Sequence, residues 1–166
     1  MKVILYTAVT LNGLIAKEDG TTDYLSNEDF EHFNDICNKT KAVVFGRKSW
    51  DEMNPTWLPF KEGEGMYVIL TRNKSLISQN PKTIYTHASA KEIISMFKNA
   101  NYKEVCVAGG GETYGYFLRS GVVNEIFIDI EPYLFSKGIK FLPDDNFLEL
   151  NLQLLKVSKL SDQTIQ

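Results

Sequence analysis

Apolar residues along the chain fall into short continuous runs, separated by segments that repeat with the period of a helix. Val3-Ile4-Leu5-Tyr6-Thr7-Ala8-Val9 reads as a buried strand, as do Ala42-Val43-Val44-Phe45, Tyr67-Val68-Ile69-Leu70, Thr83-Ile84-Tyr85 and Val105-Cys106-Val107-Ala108. Phe30, Phe33 and Ile36-Cys37 recur on one helix face and predict a helix from about Asn27 to Asn38. Shorter helical patterns cover Lys48–Met53, Ala90–Asn99 and Thr113–Arg119, the last stopped by Ser120-Gly121. Strands alternating with helices predict an α/β domain on a largely parallel sheet. The tail differs: Val123–Ile130 and Leu148–Leu160 are long and strand-like with no helical period between them, which predicts antiparallel strands closing the sheet. Beyond Leu160, Ser161–Gln166 allows only a short last strand, leaving an edge at which a second copy could pair as a homodimer.

With 166 residues, 43% of them hydrophobic, the chain supports one well-buried core, so a single domain over residues 1–166 is expected. A net charge of −3 supplies no basic field for nucleic acid or an anionic membrane, and any anionic ligand must be held by local groups. Cys37 and Cys106 lie far apart, with no CxxC and no histidine cluster, which suits reduced, buried thiols and gives no metal site. The start of the chain carries one charge and too short an apolar run for a secretion signal, and no apolar stretch is long enough to span a bilayer. A cytoplasmic location is the expectation.

Candidate chemistry gathers at strand ends. Val105–Ala108 runs into Gly109-Gly110-Gly111 and then Glu112-Thr113-Tyr114, where a helix starts. A turn without side chains lets backbone N–H groups approach a phosphate, and a helix N-terminus favours negative charge. The alternative is a tight turn whose glycines only relieve steric strain. The segment is neither a Walker loop, since no Gly-Lys-Ser/Thr follows, nor a Rossmann fingerprint, since Tyr114 stands in place of the third glycine. Gly46-Arg47-Lys48-Ser49 after one strand and Thr71-Arg72 after the next add three cations and two hydroxyls. Together they suit a phosphate-bearing cofactor with an extra phosphate, such as NADPH, although each cation alone could be a solvated surface group.

In order along nearly the whole chain, Tyr6-Thr7-Ala8-Val9 with Gly13-Leu14-Ile15-Ala16, Gly46-Arg47-Lys48-Ser49-Trp50, Leu70-Thr71-Arg72-Asn73 and Ala108-Gly109-Gly110-Gly111-Glu112-Thr113-Tyr114 resemble the dihydrofolate reductase superfamily, which includes the reductase domain of riboflavin biosynthesis. The resemblance implies a three-layer fold with a central, mostly parallel mixed sheet, and NADPH as cofactor. It implies that Arg47, Lys48, Ser49, Thr71 and Arg72 hold the adenosine phosphates, with Gly46 before them. Ala108 to Thr113 would seat the pyrophosphate around a cis Gly109–Gly110 peptide, and Ala8, Ile15, Ala16 and Tyr114 would flank the nicotinamide.

On the substrate side the resemblance makes Asp29 the acidic helix residue that binds a pterin-like ring and assists protonation of its nitrogen. A carboxyl in an apolar pocket with Phe30 and Phe33 suits reduction of an imine, which needs hydride on carbon and a proton on nitrogen. Ser26-x-x-Asp29 also reads as a capping box, which leaves Asp29 divided between catalysis and helix capping. His32 reads as a surface residue of the same helix. Tyr6, Lys61 and Asp129 complete the expected substrate contacts. Lys61 takes the place of the family's arginine for the folate carboxylate, and Asp129 takes that of a pterin-contacting threonine. Pro132 and a loose match at Asp51-Glu52-Met53-Asn54-Pro55 point towards the riboflavin branch. A divergent dihydrofolate reductase is the leading expectation. Reduction of the ribosylamino-pyrimidine phosphate of riboflavin synthesis, or of another pterin-like heterocycle, is the alternative, and a non-catalytic NADPH-binding protein is a third.

Overall fold

The computed structural model describes residues 1–53, 58–143 and 147–166. Six strands form one parallel sheet in the order β5-β4-β3-β6-β1-β7: β1 Lys2–Thr10, β3 Ala42–Gly46, β4 Met66–Leu70, β5 Thr83–Thr86, β6 Glu104–Val107 and β7 Glu125–Glu131. Four helices connect them, α1 Asn27–Thr40, α2 Arg47–Glu52, α3 Ala90–Asn99 and α4 Gly111–Arg119. A small antiparallel pair, β2 Leu14–Ala16 with β8 Ile139–Lys140, stands apart from the sheet.

Period-two alternation distributes the strand side chains between two cores. Val3 and Leu5, with Val44, Val68, Val105 and Val107, face α3 and α4, where Ile93, Phe97 and Phe117 are fully buried. Ile4 and Tyr6, with Val43, Phe45, Tyr67, Ile69 and Cys106, face α1 and α2 through Phe33, Ile36, Cys37 and Trp50. Each fully buried apolar side chain contributes roughly 1.5–3 kcal/mol relative to exposure. A sheet between two helical layers is the three-layer α/β arrangement expected. Cys37 and Cys106 are free and buried, and burial pushes the Cys37 thiol up, away from reactivity.

Two elements differ from the expectation. Residues 125–131 form a strand, but it lies parallel to β1, because the α4 crossover returns the chain to the same edge before it enters the sheet. Residues 148–157 make no strand pairing despite their alternating pattern, since a β pattern needs a neighbouring edge to bond. Among the described residues the antiparallel closure is a short turn over 158–166, in which Ile165 bridges Ile130 of β7 on one side and Lys159 on the other. Asn54 and Pro55, part of the loose match to the riboflavin branch, lie outside the described residues.

Candidate active site

The sideways order in which the parallel strands are laid down reverses between β3 and β6. From β3 the chain moves outward through β4 to β5, while from β6 it crosses to β7 at the other edge. In open α/β sheets this switch point leaves a crevice beyond the carboxyl ends of the two diverging strands. Both motifs chosen from the sequence lie there, Gly46-Arg47-Lys48-Ser49 after β3 and Ala108-Gly109-Gly110-Gly111 after β6. They are joined by a bond from the Gly46 N–H to the Gly109 carbonyl at 2.6 Å, next to one from the Ala108 N–H to Val44 O at 2.9 Å.

The three glycines have different tasks. Gly109 adopts φ +127°, which L side chains avoid, and is joined to Gly110 by a cis peptide. A Cβ on Gly110 would come within 3.1 Å of Ser49 Oγ and 4.0 Å of Ile15 Cδ1, so this position is kept open between the two turns. A Cβ on Gly111 would strike the Lys140 carbonyl at 2.5 Å, so Gly111 serves close packing against the β8 segment. No side chain caps the start of α4, and a cleft of about 430 Å³ lined by Gly111, Glu112, Gly138, Ile139, Lys140 and Pro143 lies beside it. Glu112 is exposed and stands 3.9 Å from Arg72, while Thr113 is buried under Gly46. Arg47 is paired with Asp51 one turn along α2, and Lys48 is exposed. Thr71 uses its hydroxyl to accept from the Asn73 N–H at 3.1 Å, shaping the loop after β4.

The second group of residues lies on the α1 face, two strands away. Parallel register sets Ala8 beside Asp129 and Thr10 beside Glu131, so Tyr6, Asp129 and Glu131 line one face beneath the first turn of α1. Ser26 caps that helix by accepting from the Asp29 N–H at 3.2 Å. The reciprocal half of the capping box is not formed. The Ser26 N–H donates instead to Glu131 Oε1 at 3.1 Å, which frees the Asp29 carboxyl to turn inward.

There the Tyr6 hydroxyl lies 2.6 Å from Asp29 Oδ1 and 2.7 Å from Asp129 Oδ2. Asp29 is only 3% exposed and Asp129 is fully buried. Burial, with Asp129 and Glu131 nearby, pushes the Asp29 carboxyl up to about 7 against the pull of the Tyr6 bond. Burial and the Asp29 and Asp129 carboxyls push the Tyr6 phenol well above its ordinary range. Tyr114 donates to the Tyr6 carbonyl at 2.8 Å, which links α4 and the glycine turn to this group.

Of the other expected residues, Phe33 packs on the Tyr6 ring at 5.5 Å, whereas Phe30 points outward and is 41% exposed. Ile15 and Ala16 lie on β2, and Ile15 reaches the glycine turn. Lys61 is separate: it is exposed in the loop entering the amino end of β4, whose Glu62 bonds Thr83 and whose Glu64 pairs with Lys41. Asp29 lies at the carboxyl edge of the sheet, so Lys61 and Asp29 occupy opposite edges.

His32, expected at the surface, is half-buried. Its ring stands edge-on to Tyr6 at 5.6 Å, with Nδ1 3.4 Å from Asp129 and 2.9 Å from the Gln166 amide. The sequence reading also missed Glu131, Thr164 and Gln166. Gln166 donates to Asp129 Oδ1 at 2.8 Å and Thr164 to Glu131 Oε2 at 3.1 Å. Asp129 and Glu131, two residues apart in an apolar strand, did carry a signal, since period two puts both on one face. Contacts from residues 164 and 166 left no local trace.

The family model of the RibD C-terminal domain matches residues 1–166. Two Bacillus subtilis proteins, YwjB and YyaP, are each 25% identical to the chain, over 83% of it and 80% of YwjB, and over 99% of it and 92% of YyaP. The fold is similar to that of a diaminohydroxyphosphoribosylaminopyrimidine deaminase/5-amino-6-(5-phosphoribosylamino)uracil reductase from Thermotoga maritima, with a TM-score of 0.78 and 18% identity over 99% of this chain and 54% of that one. No helix among the described residues is long and apolar enough to cross a membrane.

Proposed function

Because the chain belongs to the RibD C-terminal domain family, we propose that it is an NADPH-dependent reductase that passes hydride to a carbon–nitrogen double bond of a small heterocyclic substrate, the ring-opened imine of a ribosylamino-pyrimidine phosphate being favoured. The observation that carries the reading is the paired turn at the switch point. Gly46 and Gly109 are bonded there, Gly110 is held open between Ser49 and Ile15, and the start of α4 has no side-chain cap.

These features fit the cofactor, because a phosphate needs backbone N–H groups without Cβ atoms in the way. Gly110 and the first turn of α4 would hold the pyrophosphate. Arg47, Lys48, Ser49, Thr71 and Arg72 would meet the adenosine phosphates, with Arg47 leaving Asp51 to do so. Ala8, Ile15, Ala16 and Tyr114 would flank the nicotinamide. When bound, the cofactor supplies hydride. The chain's own part is to orient the substrate over Ala8 and Tyr6 and to deliver a proton to nitrogen from Asp29, whose carboxyl, held up to about 7, still carries hydrogen near neutral pH. Phe33 would exclude water from the acid.

Dihydrofolate, the leading expectation from the sequence, gives way to this substrate class. Family membership favours the riboflavin branch. The test is NADPH oxidation, followed at the nicotinamide absorbance, with 5-amino-6-(5-phosphoribosylamino)uracil and with dihydrofolate. Turnover of the pyrimidine and none of dihydrofolate supports the proposal. Tight NADPH binding without turnover of either would make the chain a non-catalytic binding protein.

A further inference from the structure

Tyr6 has one hydroxyl hydrogen and two carboxyl oxygens within 2.7 Å of its oxygen, Asp29 Oδ1 and Asp129 Oδ2. Both separations are those of strong O–H···O bonds, yet a hydroxyl donates once and an ionised carboxylate only accepts. With both acids ionised, one contact would press two oxygens together with no hydrogen between them, away from water. We infer that Asp29 and Asp129 hold one proton between them through the Tyr6 oxygen, so that Tyr6 and Asp129 are positioning residues that store and return the proton Asp29 delivers.

The surrounding groups favour this distribution. Glu131, the third acid beneath α1, receives the Ser26 N–H and hydroxyl on Oε1 and the Thr164 hydroxyl on Oε2, which satisfies it as a carboxylate. Asp129 Oδ1 accepts from the Gln166 amide, which leaves Oδ2 towards Tyr6. The remaining titratable neighbours are His32 from α1, 3.4 Å from Asp129, Tyr24 before α1, which donates to the Leu14 carbonyl, and Tyr114 from α4, which donates to the Tyr6 carbonyl. Tyr6 cannot serve as the anion instead, because burial and two carboxyls hold its hydrogen firmly.

The step within the proposed reaction balances, and only this part rests on the reductase reading. Hydrogen passes from Asp129 to the Tyr6 oxygen as the Tyr6 hydrogen passes to Asp29, so two O–H bonds break and two form. Asp129 is left ionised against Gln166, and Asp29 carries the hydrogen that the substrate nitrogen takes. Water returns one proton per turnover.

Infrared spectroscopy of the full chain without ligand tests the store directly. Just below neutral pH, where ordinary carboxyls are still ionised, the wild type is expected to show the carbonyl stretch of one protonated carboxyl per chain. Asp129→Asn puts an amide donor where the Asp129 hydrogen would be, so Asp29 can ionise and the band should be lost. Asp29→Asn does the same from the other side and stands in should the first variant not fold. Absence of the band from the wild type, or its persistence in both folded variants, overturns the inference. If the chain proves not to be a reductase, the band is still expected, so the two readings fail separately. Where turnover is found, Asp129→Asn should move the alkaline limb of the kcat profile to lower pH and leave KM for NADPH unchanged.

Discussion

The Gly46 N–H donates to the Gly109 carbonyl at 2.6 Å, and a Cβ on Gly46 would lie 2.6 Å from Thr113 Oγ1. The end of β3 therefore sits against the first turn of α4 with no room for a methyl group. Gly46→Ala should push the two turns apart and weaken NADPH binding about tenfold or more, the equivalent of ~1.4 kcal/mol. Thr113→Ala removes the atom in the way, so adding it to Gly46→Ala should recover part of the affinity. Titration of NADPH by fluorescence across the double-mutant cycle reads the coupling.

The raised Asp29 carboxyl makes stability depend on pH. Its folded value of about 7 lies above the ordinary 3.8, so between those values the native state binds more proton than the unfolded chain. The contribution of Asp29 is therefore fully present in acid and is lost as pH rises through about 7, at ~1.4 kcal/mol per unit of difference. Asp29→Asn has no such loss. Its stability relative to wild type should improve steadily from pH 4 to pH 7 in urea unfolding, and a flat difference would contradict the burial argument.

Much of this site was legible in the sequence because local rules carry it. Runs of valine and isoleucine mark parallel strands buried on both faces, and the glycine turn and Gly46-Arg47 fall at strand ends by the same pattern. The inward turn of Asp29 was not legible. Ser26-x-x-Asp29 is a capping box in sequence, and only Glu131, 105 positions beyond Ser26, competes for the Ser26 N–H and releases the carboxyl. The half-burial of His32 has a related cause: Gln166 and Asp129, both distant in the chain, hold one edge of its ring. Residues 148–157 show the opposite failure, since alternation describes a strand's surface and not whether an edge is available to it.

Cofactor preference should follow the cations after β3. Arg47 and Lys48 follow directly on Gly46 at the mouth of the crevice and would serve an extra phosphate, and a hydrogen bond to a charged group is worth about 1.5–3 kcal/mol. Arg47→Ala with Lys48→Ala should raise the Kd for NADPH roughly ten- to hundredfold and leave NADH binding nearly unchanged. Lys61→Ala, at the opposite edge, should change neither. Equal losses for both cofactors in the double variant would assign the cations to the pyrophosphate instead.

The segment 148–157 argues for a second copy of the chain. Leu148 packs against the core, whereas Leu150, Leu152 and Leu154, alternating with Asn151 and Gln153, are 45%, 63% and 78% exposed. Contiguous exposure on this scale marks an interaction surface more often than solvent-tolerant side chains do. Just beyond it, Ser158 and Gln166 exchange backbone bonds at 2.8 Å, which fixes the segment to the hairpin that covers the end of β7. An antiparallel two-fold pairing centred on Leu152 would set Leu150 opposite Leu154 of the second copy and Leu152 opposite itself, the same-face contacts that stabilise paired strands. Sedimentation at micromolar concentration should give a dimer. Leu152→Asp, which places like charges opposite each other at the two-fold axis, should give a folded monomer, and a monomeric wild type would remove the argument.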